Sequence, residues 1–197
     1  MSGLKGAGFG GESLHVKKVR GDFVYNDLLI DLNNAKLPAA NAATYEDLTL
    51  DGFTQKVLAF DVGDKVNFTA QTHHGVKLLS EIEAHIHWTL AADEDGDEIR
   101  FQLTGVGAGI NGSFSSIGTL DSGDVVLSGN TGKHNYMSLG SIANTFNNTV
   151  SSVFMFTLER VAVNDGTDAS GRVYIFYSDF HVKLDSIGSF ERATKGF

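Results

Sequence analysis

The sequence predicts an all-β chain, a jelly-roll-like antiparallel β-sandwich with a flexible Gly-rich N-terminal arm. Three observations predict it. Segments of about five to nine residues rich in β-branched and aromatic side chains recur along the chain. Clusters of Gly, Asn and Asp separate them. Helical segments do not alternate with them, which argues for antiparallel pairing rather than a parallel α/β sheet. Hydrophobic residues make up 42% of the 197 positions, with Phe 14 and Tyr 5. A chain of this size buries roughly 70% of its unfolded surface and folds without covalent staples.

Residues 1–12 read as an arm. Five of the eleven residues Met1–Gly11 are Gly, and only Leu4 and Phe9 are large, so this stretch has no core of its own. Leu4 and Phe9 are candidate assembly contacts, anchors that order by entering a neighbouring subunit. Residues 13–189 form the sandwich domain. Its strands are expected near 13–19, 23–30, 55–62, 65–71, 79–90, 98–106, 124–128, 136–142, 152–163 and 172–187. One helix is expected over "LPAANAATYEDL", residues 37–48, which carries the only proline, Pro38, at its start; a further helical turn is expected near "GSIANTFNN". Residues 190–197 are a C-terminal tail, with Phe190 and Phe197 as further candidate assembly contacts.

Two connections resemble ligand loops without meeting their requirements. In "DEDGDE", Asp93–Glu98, the glycine precedes the third alternate carboxylate, whereas a calcium loop places it after. Asp95-Gly96 is expected instead as a type I′ hairpin turn between "HIHWTLA" and "EIRFQLT", its carboxylates solvated. "GVGAGING", Gly105–Gly112, has no Lys-Ser/Thr ending and no following helix, so it reads as a flexible connection rather than a phosphate loop.

"EAHIHWTL" has period two. Ala84, Ile86, Trp88 and Leu90 make a core face; Glu83, His85, His87 and Thr89 take the other. His85 and His87 then stand about 6.6 Å apart at the backbone, from two residues of strand rise. An ion between them would need further ligands. Glu83 and His181 are the candidates, His181 sharing a face with Tyr177, Asp179 and Lys183 in "YSDFHVKLD". Such a set would resemble a cupin-like metalloprotein. A cupin pattern expects a carboxylate soon after the pair and a later strand with Pro, Gly and His. Here Thr89, Leu90, Ala91 and Ala92 follow, and Pro38 stands alone. The pair is therefore read as ordinary sheet positions, with no metal and no cofactor assigned. His15 and His134 have no neighbours in sequence that define a site.

The remaining composition narrows function by class. A net charge of -9 and scattered Lys and Arg disfavour direct nucleic-acid binding. No segment approaches the roughly 20 apolar residues of a membrane span. With Cys 0, neither disulfides nor thiol chemistry is available. No Gly-x-Ser-x-Gly elbow or other catalytic spacing occurs, so the reading is not an enzyme.

Resemblance goes further. "HIHWTL", "GKHNYMSLGSI", "VSSVFMFTLERV" and "FYSDFHVKLDSIGSFE" together resemble a family of bacteriophage virion structural proteins over residues 81–191. The residues that carry it are His85, His87, Trp88, Lys133, His134, Ser151, Ser152, Arg160, Phe180, His181, Asp185, Ser186, Gly188 and Ser189. The resemblance implies a virion location after assembly in the host cytoplasm. It implies a head decoration or cement protein, with tail or fibre attachment as the competing role. The implied partners are the major capsid protein or other virion proteins, in a homo-oligomer taken as a trimer. Under it the signature residues are structural, with the His face packed against the C-terminal strand and Arg160 paired with a carboxylate such as Asp185. A carbohydrate-binding fibre module would instead group exposed aromatics such as Tyr45 or Tyr136.

Overall fold

A computed structural model describes residues 24–32 and 35–184. Two antiparallel sheets face each other across an apolar core. The larger contains β1 (Val24–Asp31), β2 (Thr44–Leu50), β3 (Phe53–Phe60), β5 (Ile82–Leu90), β9 (Asn135–Ile142) and β11 (Val173–Leu184). The smaller contains β4 (Lys65–Gln71), β6 (Glu98–Ala108), β7 (Ser115–Asp121), β8 (Val125–Val126) and β10 (Val153–Val161). Neighbours run β2-β3-β11-β5-β9 in one sheet and β4-β10-β6-β7 in the other; β1 joins β11, and β8 joins β6. The pairs β3/β4, β5/β6, β7/β9 and β10/β11 each step between sheets, which is the jelly-roll order the sequence suggests. No helix among the described residues is long and apolar enough to cross a membrane.

Alternation places the core as expected along β5, where Ala84, Ile86, Trp88 and Leu90 are buried against the facing sheet. Phe156 of β10 stacks on Phe180 of β11 with centroids 4.9 Å apart, and Phe68 of β4 lies 5.3 Å from Phe156. These rings tie the two sheets together. Trp88 is an anchor, yet its indole Nε1 has no hydrogen-bond partner.

Several expectations are corrected. Residues 44–48, the second part of the helix expected over 37–48, lie instead in β2, hairpinned to β3 from Thr44↔Ala59 to Leu50↔Phe53. Asp51 and Gly52 both have positive φ, 48° and 79°, the pair a tight hairpin turn requires. Burial of Leu48 and half-burial of Tyr45 outweigh local helix preference. A short 3-10 turn, Asn144–Phe146, lies where the second helical turn is expected. Asp95-Gly96 is not a hairpin, because β5 and β6 lie in different sheets. Gly96 alone has positive φ (95°), and Asp97 N–H donates to Glu94 O, which makes a type II turn. Its carboxylates brace loops: Glu94 accepts from Ser170 N–H, and Asp95 from Gly129 N–H.

Gly105, expected at the junction of a strand and a loop, and Gly107, expected in the loop, both belong to β6 opposite Phe156 and Phe154 of β10. A Cβ at Gly107 would meet the Phe154 ring at 2.7 Å. Strand β7 carries no sequence expectation, and segment 13–19 lies outside the described residues.

Candidate functional site

The outer face of the larger sheet gathers the histidines. β5 supplies His85 and His87, and β11 sets Asp179 opposite His85, Tyr177 opposite His87 and His181 opposite Glu83. β1 adds Asp27 opposite His181. β9 adds Tyr136 opposite His87, and His134 immediately precedes that strand. Two bulges make this register. On β11 the pairing steps from Ile175↔Trp88 to Tyr177↔His87, so Phe176 is the extra residue. On β9 it steps from Gly140↔Ala84 to Ser138↔His85, with Gly140 at φ 106°. A bulge re-aims the side chains that follow it. Here it turns Tyr177, Asp179 and His181 outward while Val173, Ile175, Phe180 and Val182 all remain in the core.

Contacts within the cluster are close. His85 Nε2 lies 3.1 Å from Asp179 Oδ2, and His87 Nε2 lies 3.5 Å from the same oxygen. The His85 and His181 rings stand edge to face with centroids 4.2 Å apart. His181 Nε2 reaches Asp27 Oδ1 at 2.9 Å, and His87 Nδ1 meets His134 Nε2 at 2.7 Å. Ligand atoms of His85, Asp179 and His181 all lie within 4.8 Å of one another. His85 and Asp179 are 1% and 3% exposed on what is formally the outer side of the sheet. Burial pushes the His85 pKa down; Asp179 opposes this, and the neighbouring His181 and His87 reinforce it. The shift favours the neutral imidazole. A hollow of about 380 Å³ opens beside the cluster, lined by Asp27, Leu29, His87, His134, Tyr177 and Asp179 among others.

The sequence pairs His85 with His87 and names Glu83 and His181 as possible companions, and all four fall on this face. Glu83 stays peripheral, with Oε2 3.9 Å from His181 Nδ1. Asp179 and His134 are the members whose role sequence reasoning missed. Asp179 shares the outward parity of His181, but only the cross-strand register sets it opposite His85, and only the approach to β9 brings in His134. Leu4, Phe9, Phe190 and Phe197 lie outside the described residues, as do Asp185, Ser186, Gly188 and Ser189. Tyr45 and Tyr136 sit on β2 and β9, at opposite ends of the sheet order, so they do not group. Tyr45 donates its hydroxyl to Leu32 O.

Arg160 has a different environment from the one expected. It is 1% exposed, and its guanidinium donates to three carbonyls, those of Phe60, Gly171 and Ala169, at 3.0, 2.7 and 2.5 Å. Burial lowers its pKa, and Asp168 foremost among nearby carboxylates opposes the shift. The residue fastens the end of β3 to the loop between β10 and β11.

No protein-family model matches the chain, and no curated protein matches it. Twenty-eight chains of solved structures do. One is a xylan-binding module, at 14% identity and TM-score 0.40, covering 84% of this chain and 100% of that one. Another is the infectious bursal disease virus Gx strain structure, at 11% identity and TM-score 0.37, covering 83% of this chain. A third is the VP2 subviral particle of infectious bursal disease virus, at 12% identity and TM-score 0.38, covering 81% of this chain. This chain spans 33% of each of the two viral chains. The likeness is one of architecture alone.

Proposed function

We propose that the chain is a structural protein of a bacteriophage particle, a decoration protein that binds and stabilises the head shell as a homo-oligomer, taken as a trimer, with no catalytic role. One observation supports the reading: among the described residues that carry the sequence resemblance, His85, His87, Trp88, Arg160, Phe180 and His181 occupy scaffold positions on β5, β10 and β11. His85, His87 and His181 share one sheet face, while Trp88 and Phe180 fill the core behind it. Arg160 fastens the Phe60, Ala169 and Gly171 carbonyls, and Ser152, just before β10, donates its hydroxyl to Thr149 O at 2.8 Å. A signature built from such positions specifies packing and register. The chain's net charge of -9 agrees with a partner other than nucleic acid.

The test is co-sedimentation of the purified full chain with phage heads and, separately, with tails, alongside its mass in solution by light scattering. Decoration predicts an oligomer that pellets with heads. A monomer that pellets with neither particle overturns the virion role; pelleting with tails alone overturns decoration.

A further inference from the structure

We propose that His85, Asp179 and His181, with His87 on the side of the hollow, form a binding site for one divalent transition-metal ion of the zinc class. Zinc takes nitrogen and oxygen ligands at about 2.0–2.2 Å, which sets neighbouring ligand atoms about 3.3–3.6 Å apart in a tetrahedron. The two contacts converging on Asp179 Oδ2, 3.1 Å from His85 and 3.5 Å from His87, are close to that edge length. The ligand atoms of His85, Asp179 and His181 lie within 4.8 Å of one another, so these three form the nucleus of the set and His87 approaches it through Asp179 Oδ2.

A second observation is independent of spacing. Asp179 Oδ1, His85 Nδ1 and His87 Nε2 are buried without any hydrogen-bond partner. Buried polar atoms are normally satisfied, and each one left unpaired costs about 1–3 kcal/mol. Two of them, Asp179 Oδ1 and His87 Nε2, belong to the carboxylate and the imidazole that meet at Asp179 Oδ2, beside the His85 Nε2 contact. A cation supplies the missing positive charge.

The surroundings also fit. Metal-binding histidines commonly give their other ring nitrogen to a carboxylate or another polar group, which fixes the ring. Asp27 holds His181 Nε2, and His134 meets His87 Nδ1. His85, Asp179 and His181 sit on central strands β5 and β11 rather than on loops, so the backbone fixes their positions. Imidazole-rich donors without thiolate suit zinc, cobalt, nickel or copper; calcium and magnesium favour oxygen ligands. The adjoining hollow gives an entry route and room for a ligand from outside the chain. The site stands independently of the virion reading.

The test uses full-length protein made without a polyhistidine tag and stripped with a chelator, titrated with Co²⁺ and followed by its visible absorption. One equivalent should produce the intense bands of a tetrahedral cobalt centre, bleached by Zn²⁺, and Zn²⁺ should raise the thermal midpoint. His85→Ala should abolish both effects. Should that buried substitution prevent folding, His181→Gln at the rim decides, with an expected affinity loss of at least tenfold. Asp47→Asn, on β2, serves as the control and should bind like wild type. No saturable uptake by the wild-type protein, or equal uptake by wild type, His181→Gln and His87→Gln, overturns the site.

Discussion

Arg160 gives the sharpest test of how this sandwich is closed. Its Nη1 and Nη2 reach three backbone carbonyls drawn from β3 and the loop before β11. Arg160→Ala leaves those acceptors without their charged donor and opens a space the size of the largest side chains in the interior. Hydrogen bonds to charged groups are worth about 1.5–3 kcal/mol each, but the mutant no longer pays to desolvate a guanidinium, so the losses do not sum. A net loss of about 3–5 kcal/mol follows, a large share of the roughly 5–15 kcal/mol that holds a typical domain. Arg160→Lys keeps the charge without the planar fork and should cost less, about 2 kcal/mol. Urea unfolding at neutral pH, followed by Trp88 fluorescence, measures both. An Arg160→Ala loss below about 1 kcal/mol would refute the account of the carbonyl clamp.

Other outcomes follow from packing and charge. Phe156→Ala removes the ring stacked on Phe180 and Phe154 and should cost about 3–5 kcal/mol in the same unfolding assay. Gly105→Ala would place a Cβ 2.3 Å from the Met155 carbonyl oxygen, so it should destabilise by about 1–3 kcal/mol. Gly123→Ala, with open space around it, should cost only its φ strain at 67°, about 1 kcal/mol. Asp121 is held at a pKa of about 2, chiefly by its hydrogen bond from Arg100 and further by Gln102 and the Gly123 N–H. Its folded pKa lies below the unfolded value, so its stabilisation is present above the ordinary carboxylate range and is lost as pH falls toward 2. Carboxyl NMR should show Arg100→Met moving this titration up toward 3.8.

Strands with clean alternation were legible from sequence. "KVNFTAQ" matches β4 residue for residue, and the inward set of β5 follows from its period of two. Legibility failed where tertiary contacts overrule local preference. Thr44–Leu48 belongs to a segment that reads as helix and becomes strand because the Asp51-Gly52 turn returns it onto β3. Gly105 and Gly107 look like a loop because the side chains that fill their space, Phe156 and Phe154, belong to another strand. The histidine cluster was half legible. The parity of β5 and β11 puts the correct side chains outward, but the pairing His85↔Asp179 depends on a register that sequence spacing does not encode. His134 enters from the approach to a third strand.

The extra residue at Phe176 lets one strand obey two parities. Odd-numbered positions before it face the interior, and even-numbered positions after it do. Excising that single residue would therefore exchange inside and outside for everything downstream, driving Asp179 and His181 toward the packed rings and presenting Phe180 and Val182 to solvent. Substitutions along β11 can thus be absorbed one at a time, whereas a one-residue length change in this strand inverts its whole C-terminal half.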